Sequence, residues 1–472
     1  MFYFRKDELE RLKKVYRSPE GGAVALYGRR RTGKSALILE SFKETPEIPS
    51  LYFLCASSTY QGVLDQFRSE FAEFLKISLD QVPFFQSFRQ LFSYFVPHLS
   101  GKKILLAIDE FPYLSRKKEG QEVASEFNEI IEKGLAGSPL VLILCGSNVR
   151  FMNDVVNDAT SPLHGRFKET LLLLPFSYEE TAAILSSFSP FDQLAAYGAS
   201  GGVAEYVFHF AEYPQFASAV EALYLRVGGR LYNEAEQLLN FEFEDASTYQ
   251  AILTSIGSSR KRPSEIAKAI GIAPNAFYYF VNLLVAVGIL GEYKTAFSKK
   301  KRDASYFIKD PFFRFYYGFI APLRSKIAYL TPSEVYDLAF QEEALHTYLG
   351  PIYEEAVVKG ALYRLALAKK IPFVPEEILP WVGLVPNRKG EWGETEIDLC
   401  GYPATQVILG ECKAKNKKMG LSVYQSLLLK AGYVPTGSRQ KYYLLASFSG
   451  FEDSVLALKK DGVFLLAGST LL

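Results

Sequence analysis

The sequence predicts an α/β fold: a parallel sheet covered by helices on both faces, then helical stretches, then a second α/β module. Three observations carry this. Short apolar runs at 23–27, 51–55, 104–108, 140–145 and 170–174 alternate with helical patterns, as buried strands of a parallel sheet do. The first run leads through Gly28-Arg29-Arg30-Arg31-Thr32-Gly33-Lys34-Ser35 into the helical pattern Ala36-Leu37-Ile38-Leu39, the strand, loop and helix context of a phosphate-binding loop. From Gly350 onward a helical pattern (352–368) precedes strand-like 396–399 and 406–412, a helical 421–430 and a strand-like 441–446.

The loop's chemistry follows from its residues. Gly28 and Gly33 let the backbone curl so that its N–H groups face phosphate oxygens. Lys34 reaches the β- and γ-phosphates, and the Ser35 hydroxyl takes one Mg²⁺ position. The contiguous set Gly28, Arg29, Arg30, Arg31, Thr32, Gly33, Lys34, Ser35 and Ala36 is therefore expected to hold ATP; the competing reading is a Gly/Arg turn before an ordinary helix. The run Ile104-Leu105-Leu106-Ala107-Ile108 ends in Asp109-Glu110, which sets two carboxylates at the C-terminal edge of a buried strand, where open α/β sheets bind ligands. Asp109 is expected to hold Mg²⁺ through water and Glu110 to polarise the attacking water. Ser147, after the run 140–145, is placed to touch the γ-phosphate, or else closes a strand-terminal turn. Arg166, just before the fifth run, is either a finger acting on a neighbouring subunit's nucleotide or one side of an exposed salt bridge.

At 472 residues the chain exceeds one core. Its 49% hydrophobic and 22% charged residues are those of an ordinary globular protein. A net charge of +1 restricts any nucleic-acid surface to a local patch. Cys55, Cys145, Cys400 and Cys412 form no C-x-x-C pair and lie in or beside apolar runs, which predicts buried thiols in a reducing cytoplasm. No stretch is long and apolar enough for a membrane span. His98, His164, His209 and His346 are scattered, so no His-based metal site or triad is expected.

Several of these features occur in a specific order: Phe4-x-x-x-x-Glu8-Leu9, Gly28-Arg29-Arg30-Arg31-x-Gly33-Lys34-Ser35, Asp109-Glu110-Phe111, Gly146-Ser147, Pro162-Leu163-x-Gly165-Arg166, Pro175-Phe176, Gly201-Gly202 and Asp310-Pro311-Phe312-Phe313-Arg314-Phe315-Tyr316. Together they resemble the prokaryotic AAA+-type ATPase family with a C-terminal domain of unknown function, across essentially the whole chain. The resemblance implies ATP binding, ATP hydrolysis and a nuclease-like tail; Ser147 then takes the sensor 1 role. The chain leaves room for one strand, 51–55, between the loop and Asp109-Glu110, resembling the additional-strand catalytic-glutamate division of P-loop ATPases. Gly201-Gly202-Val203-Ala204 departs from the family's Gly-Gly-Ile/Val-Pro turn, which weakens the lid contact expected there.

The expected domains are a P-loop ATPase core at 1–175, a helical lid at 176–235, a winged-helix domain at 236–330 and a nuclease-like domain at 331–472. The winged helix is read from helical 252–256, 263–271 and 276–287, then strands around a basic tip. Its recognition helix, Asn275-Ala276-Phe277-Tyr278-Tyr279-Phe280-Val281-Asn282, lacks Lys and Arg. Arg260-Lys261-Arg262 and the tip Lys299, Lys300, Lys301 and Arg302 offer DNA backbone contact without sequence reading, or simply solubility.

In the tail, Glu411-x-Lys413 puts two side chains on one strand face, and Asp398 meets them if the strands pair. Asp398 and Glu411 are then expected to bind Mg²⁺, with Lys413 lowering the pKa of a water or neutralising phosphate. This resembles the PD-(D/E)XK nuclease core of restriction-endonuclease-like domains, with Glu354 as the helical acid and Glu355 competing for that place. The expectation is an ATPase coupled to a nuclease-like domain on nucleic acid, working as a homo-oligomer if Arg166 acts in trans. The alternative is an ATP-dependent signalling switch whose tail only binds.

Overall fold

A computed structural model describes all residues except 1–3, 56–58, 100, 116–119, 136, 244, 299–304, 388–389, 460–461 and 469. It divides into two compact units, 1–175 with 203–205, and 176–202 with 206–472.

In the first unit, β1 (Gly22–Tyr27), β2 (Ser50–Leu54), β3 (Ile104–Asp109), β4 (Leu140–Gly146) and β5 (Phe167–Leu172) form one parallel sheet in the order β2-β3-β4-β1-β5. Because side chains alternate across a strand, each central strand serves two cores. Val24 and Leu26 face Leu12, Tyr16, Leu37 and Ile38, while Ala25 and Tyr27 join a core built largely from Phe67, Phe71, Phe88 and Phe92. Burial on both faces is why these strands read as continuous apolar runs. The edge strands β2 and β5 are only partly buried.

The aromatic-rich stretch after β2 divides into helices Tyr60–Phe74 and Phe88–His98. Thr59 and Ser87 begin them, their side chains accepting the N–H groups of Gly62 and Gln90. The run at 51–55 is an edge strand outside β3; the strand that lies between β1 and β3 in space is β4.

In the second unit, helices Ala246–Ile256, Pro263–Ile270 and Pro274–Ala286 precede an antiparallel hairpin of β6 (Leu290–Tyr293) and β7 (Ser305–Ile308). The basic tip Lys299, Lys300, Lys301 and Arg302 lies outside the described residues. A six-stranded sheet follows: β8 (Glu377–Pro386), β9 (Trp392–Tyr402), β10 (Gln406–Lys413), β11 (Gln440–Ser447), β12 (Val463–Ala467) and β13 (Thr470–Leu471). β10, β11 and β12 run parallel, and the other pairs are antiparallel.

β8 has no counterpart in the sequence reading. Pro380 and Pro386 interrupt its pattern, and it tolerates them because it is an edge strand. The helix expected at 352–368 begins earlier, as Glu342–Ile352, then passes through a wide π turn, Tyr353–Val358, into Lys359–Leu367. Pro351 sits just before that turn, and a missing N–H is a recognised cause of such a break.

All four cysteines are free and buried. Among the described residues no single helix is long and apolar enough to cross a membrane.

Candidate nucleotide site and C-terminal carboxylate cluster

The loop after β1 is shaped by close backbone approach. A Cβ on Gly28 would stand 2.3 Å from the Leu173 carbonyl oxygen, so only glycine fits. Gly33 (φ 95°) and Arg31 (φ 67°) take left-handed conformations that turn the chain into the helix Lys34–Lys43. Lys34 is buried, and its ammonium donates to the carbonyls of Gly28 and Arg29, both at 2.9 Å. The Thr32 hydroxyl donates to the Arg29 carbonyl at 2.8 Å. Arg31 is paired with Glu205 at 2.8 Å. Arg29 is half-buried, while Arg30 and Ala36 are exposed.

Asp109 ends β3 and is buried. The Ser35 hydroxyl donates to its Oδ2 at 2.6 Å, Tyr52 donates to the same oxygen, and the Glu110 N–H donates to Oδ1 at 2.8 Å. Burial pushes the Asp109 carboxyl up, but hydrogen bonds from Cys145, Ser35, Tyr52 and the Glu110 N–H outweigh it and hold the group below its ordinary value. It stays ionised. Glu110 has φ 55°, and both its oxygens accept from the Ser147 hydroxyl, at 2.8 and 3.0 Å. Lys34, Ser35, Asp109, Glu110 and Ser147 thus stand at the C-terminal ends of β1, β3 and β4. Ser35 and Asp109 present two hard oxygens side by side, a donor set that fits Mg²⁺ with water and phosphate completing it.

Arg166 precedes β5 and is paired with Glu132 at 2.6 Å, the two side chains 40% and 39% exposed. The surface salt bridge is the contact present in this unit. The contacts of Tyr52 and Cys145 with Asp109 carry no signal in the sequence, because each residue lies inside an apolar strand where nothing marks a polar role.

In the second unit the side chains of Asp398 on β9 and of Glu411 and Lys413 on β10 come together. Lys413 donates to Asp398 at 3.4 Å and to Glu411 at 3.0 Å. The Cys412 N–H donates to Asp398 at 2.7 Å. Lys430, on the helix Leu421–Ala431, donates to the other Glu411 oxygen at 2.6 Å and to the Glu396 carbonyl at 2.7 Å. The Glu396 carboxylate accepts from Arg260 at 3.0 Å and Tyr293 at 2.8 Å.

Burial, then the charge of Glu411, pushes the Asp398 carboxyl up to about 6. Burial, then the charges of Asp398 and Glu396, pushes Glu354 up to about 8. Glu355 pairs with Lys359 at 2.5 Å on the exposed side, so Glu354 is the helical acid that feels the cluster. Lys415, Lys417 and Lys418 are exposed. Lys430 went unnoticed in the sequence because a lysine in a last helical turn reads as an ordinary partner of the helix dipole.

As arranged, the cluster does not fit a divalent ion. Both Glu411 oxygens and Asp398 Oδ2 already accept N–H donors. Among the described residues no three His, Cys, Asp or Glu side chains group to hold a metal.

A family described as an ATPase domain predominantly from Archaea matches residues 2–210, and a family of archaeal and bacterial proteins of unknown function matches residues 316–423. The uncharacterized protein MJECL04 of Methanocaldococcus jannaschii is 27% identical over 450 residues, which are 94% of this chain and 95% of that protein. Among solved structures, the Walker-type ATPase PABY2304 of Pyrococcus abyssi aligns with a TM-score of 0.49 and 21% identity, over 67% of this chain and 96% of that one. The Aeropyrum pernix ORC2 protein, in its ADPNP–ADP complexes, aligns with a TM-score of 0.47 and 14% identity, over 69% and 96%. Residues 2–210 are thus similar to an ATPase domain found predominantly in Archaea, and residues 316–423 to a domain of archaeal and bacterial proteins of unknown function.

Proposed function

We propose that this chain is a Mg²⁺-dependent AAA+-type ATPase whose nucleotide state governs a nuclease-like C-terminal domain that engages nucleic acid. The observation that carries the ATPase reading is the convergence of the Lys34 loop, the Ser35–Asp109 oxygen pair and the Ser147–Glu110 contact at one edge of the sheet. Lys34 binds phosphate, Ser35 and Asp109 hold the ion that neutralises it, and Glu110 orients the attacking water, its carboxylate positioned by Ser147. The proposed domains are the ATPase core at 1–175, a lid at 176–235, a winged helix at 236–330 and the nuclease-like domain at 331–472. Arg166 is proposed as the residue a second copy would use in trans.

What supports a winged helix is the order of three helices and an antiparallel hairpin. What supports a PD-(D/E)XK-like domain is Asp398, Glu411 and Lys413 in mutual contact on paired strands, with Glu354 on the preceding helix. One observation favours the reading in which this domain binds nucleic acid without cutting it. Glu411, the acid that would hold a metal, carries a lysine on each oxygen.

The test is ATP turnover, DNA binding and DNA cleavage by the wild type, Lys34→Ala and Asp398→Ala, on plasmid and single-stranded DNA with Mg²⁺ or Mn²⁺. The expected result is turnover lost in Lys34→Ala, salt-dependent DNA binding that responds to ATP, and no cutting. Unchanged turnover in Lys34→Ala would sink the ATPase reading. Cutting that disappears in Asp398→Ala would replace the binding reading with an active nuclease.

A further inference from the structure

Two ammoniums converge on one carboxylate of this cluster, that of Glu411. One ammonium, that of Lys413, already bridges Asp398 and Glu411. The second, Lys430, reaches Glu411 Oε1 from a different element and anchors on the Glu396 carbonyl. Its helix is held firmly: Tyr424, Leu427 and Ala431 are buried in the core of this domain. The Lys430 ammonium therefore leaves Glu411 only by rotating its own side chain. Glu411 and Lys430 are 5% and 17% exposed, so water screens the pair weakly.

We propose that Lys430 is the resident cation of this site, occupying the position on Glu411 that a divalent ion would take, so that lysine and metal exclude each other. The inference deepens the nuclease-like reading and rests on it. A divalent ion held by Asp398 and Glu411 would bring two positive charges against the Lys413 and Lys430 ammoniums, and one of the lysines must give way. Lys413 belongs to the strand pair and holds both acids. Of the two acids Lys430 holds only Glu411, and it is the one that blocks. A divalent ion would then be held here only with Lys430 withdrawn from Glu411.

The experiment measures Mn²⁺ binding to the full, nucleotide-free chain by the loss of the free-ion EPR signal. Wild type, Lys430→Met, Lys430→Gln and Lys430→Arg are each compared with the same chain also carrying Asp398→Ala. The Mn²⁺ binding lost on adding Asp398→Ala belongs to this cluster and not to the Ser35–Asp109 pair. Lys430→Gln keeps an N–H donor for the Glu396 carbonyl, which guards against a Met variant that fails to fold.

The expected result is Asp398-dependent Mn²⁺ binding at least about tenfold tighter in the Met and Gln variants than in wild type, as removal of one like charge at contact predicts. The Arg variant should bind no better than wild type. Equal Asp398-dependent binding in wild type, Met and Gln would overturn the exclusion while leaving the metal-site reading standing. No Asp398-dependent binding in any variant would overturn both.

Discussion

Replacing Glu354 with Gln tests whether the tail brings its acids together as described. Glu354 lies in the wide turn Tyr353–Val358, and burial followed by the charges of Asp398 and Glu396 pushes its carboxyl up to about 8 from 4.5. The sign follows from proton counting. Between those two values the folded state keeps a proton that the unfolded state releases, so stability falls as pH rises. At about 1.4 kcal/mol per pH unit the ceiling is on the order of 5 kcal/mol. Glu354 keeps partial contact with water, and screening of that kind reduces the expected effect to roughly 2 kcal/mol. Gln matches the protonated acid in shape and never ionises. The two tryptophans of the chain, Trp381 and Trp392, both lie in β8 and β9, so intrinsic fluorescence reports this sheet. The expected outcome is coincident thermal unfolding of wild type and Glu354→Gln at pH 5, and a midpoint a few degrees higher for the variant at pH 8. Parallel pH dependence in the two proteins would refute the placement of Glu354 against the cluster.

Three further outcomes are expected. Gly28→Ala puts a Cβ 2.3 Å from the Leu173 carbonyl, so the loop must shift; calorimetric ATP affinity should fall at least about tenfold and the melting point should drop, by about 1–3 kcal/mol in stability terms. Ser147→Ala removes the hydroxyl from Glu110 and should lower single-turnover ATP hydrolysis by about 100-fold, the lower end of the range for losing one preorganised donor, with ATP affinity unchanged; loss of affinity instead would make Ser147 a binding residue. Arg166→Ala breaks an exposed pair with Glu132, so stability should change by less than about 0.5 kcal/mol and turnover of dilute protein should hold, whereas a large drop confined to concentrated, self-associated protein would identify a residue acting in trans.

Much of the nucleotide site is written locally. Gly28 to Ser35 is one contiguous loop, and Asp109-Glu110 simply ends a strand, so backbone requirements and hydrophobic runs expose both motifs without knowledge of the fold. Asp398, Glu411 and Lys413 were legible for a related reason, a two-residue period on one strand and an acid near the end of its neighbour. What escaped were the side chains that come from elsewhere: Tyr52 on Asp109, Cys145 beside it, and Lys430 on Glu411. No spacing rule links residue 430 to residue 411, and a tyrosine in an apolar strand looks like core.

Sheet order was equally out of reach. Strand lengths and apolar runs specify that parallel strands form, since period and burial are local properties, but the placement of β4 between β1 and β3 depends on how distant segments pack. The sequence by itself therefore determined the phosphate loop, the strand-end acids and the two α/β modules, because each is a short-range pattern with its own steric or hydrophobic signature. Only the tertiary structure decided that both oxygens of Glu411 are held by lysines, that Glu354 and not Glu355 faces the cluster, and that Arg166 rests on Glu132. These are charge pairings across space, set by which surfaces the packed core brings within a few ångströms of one another.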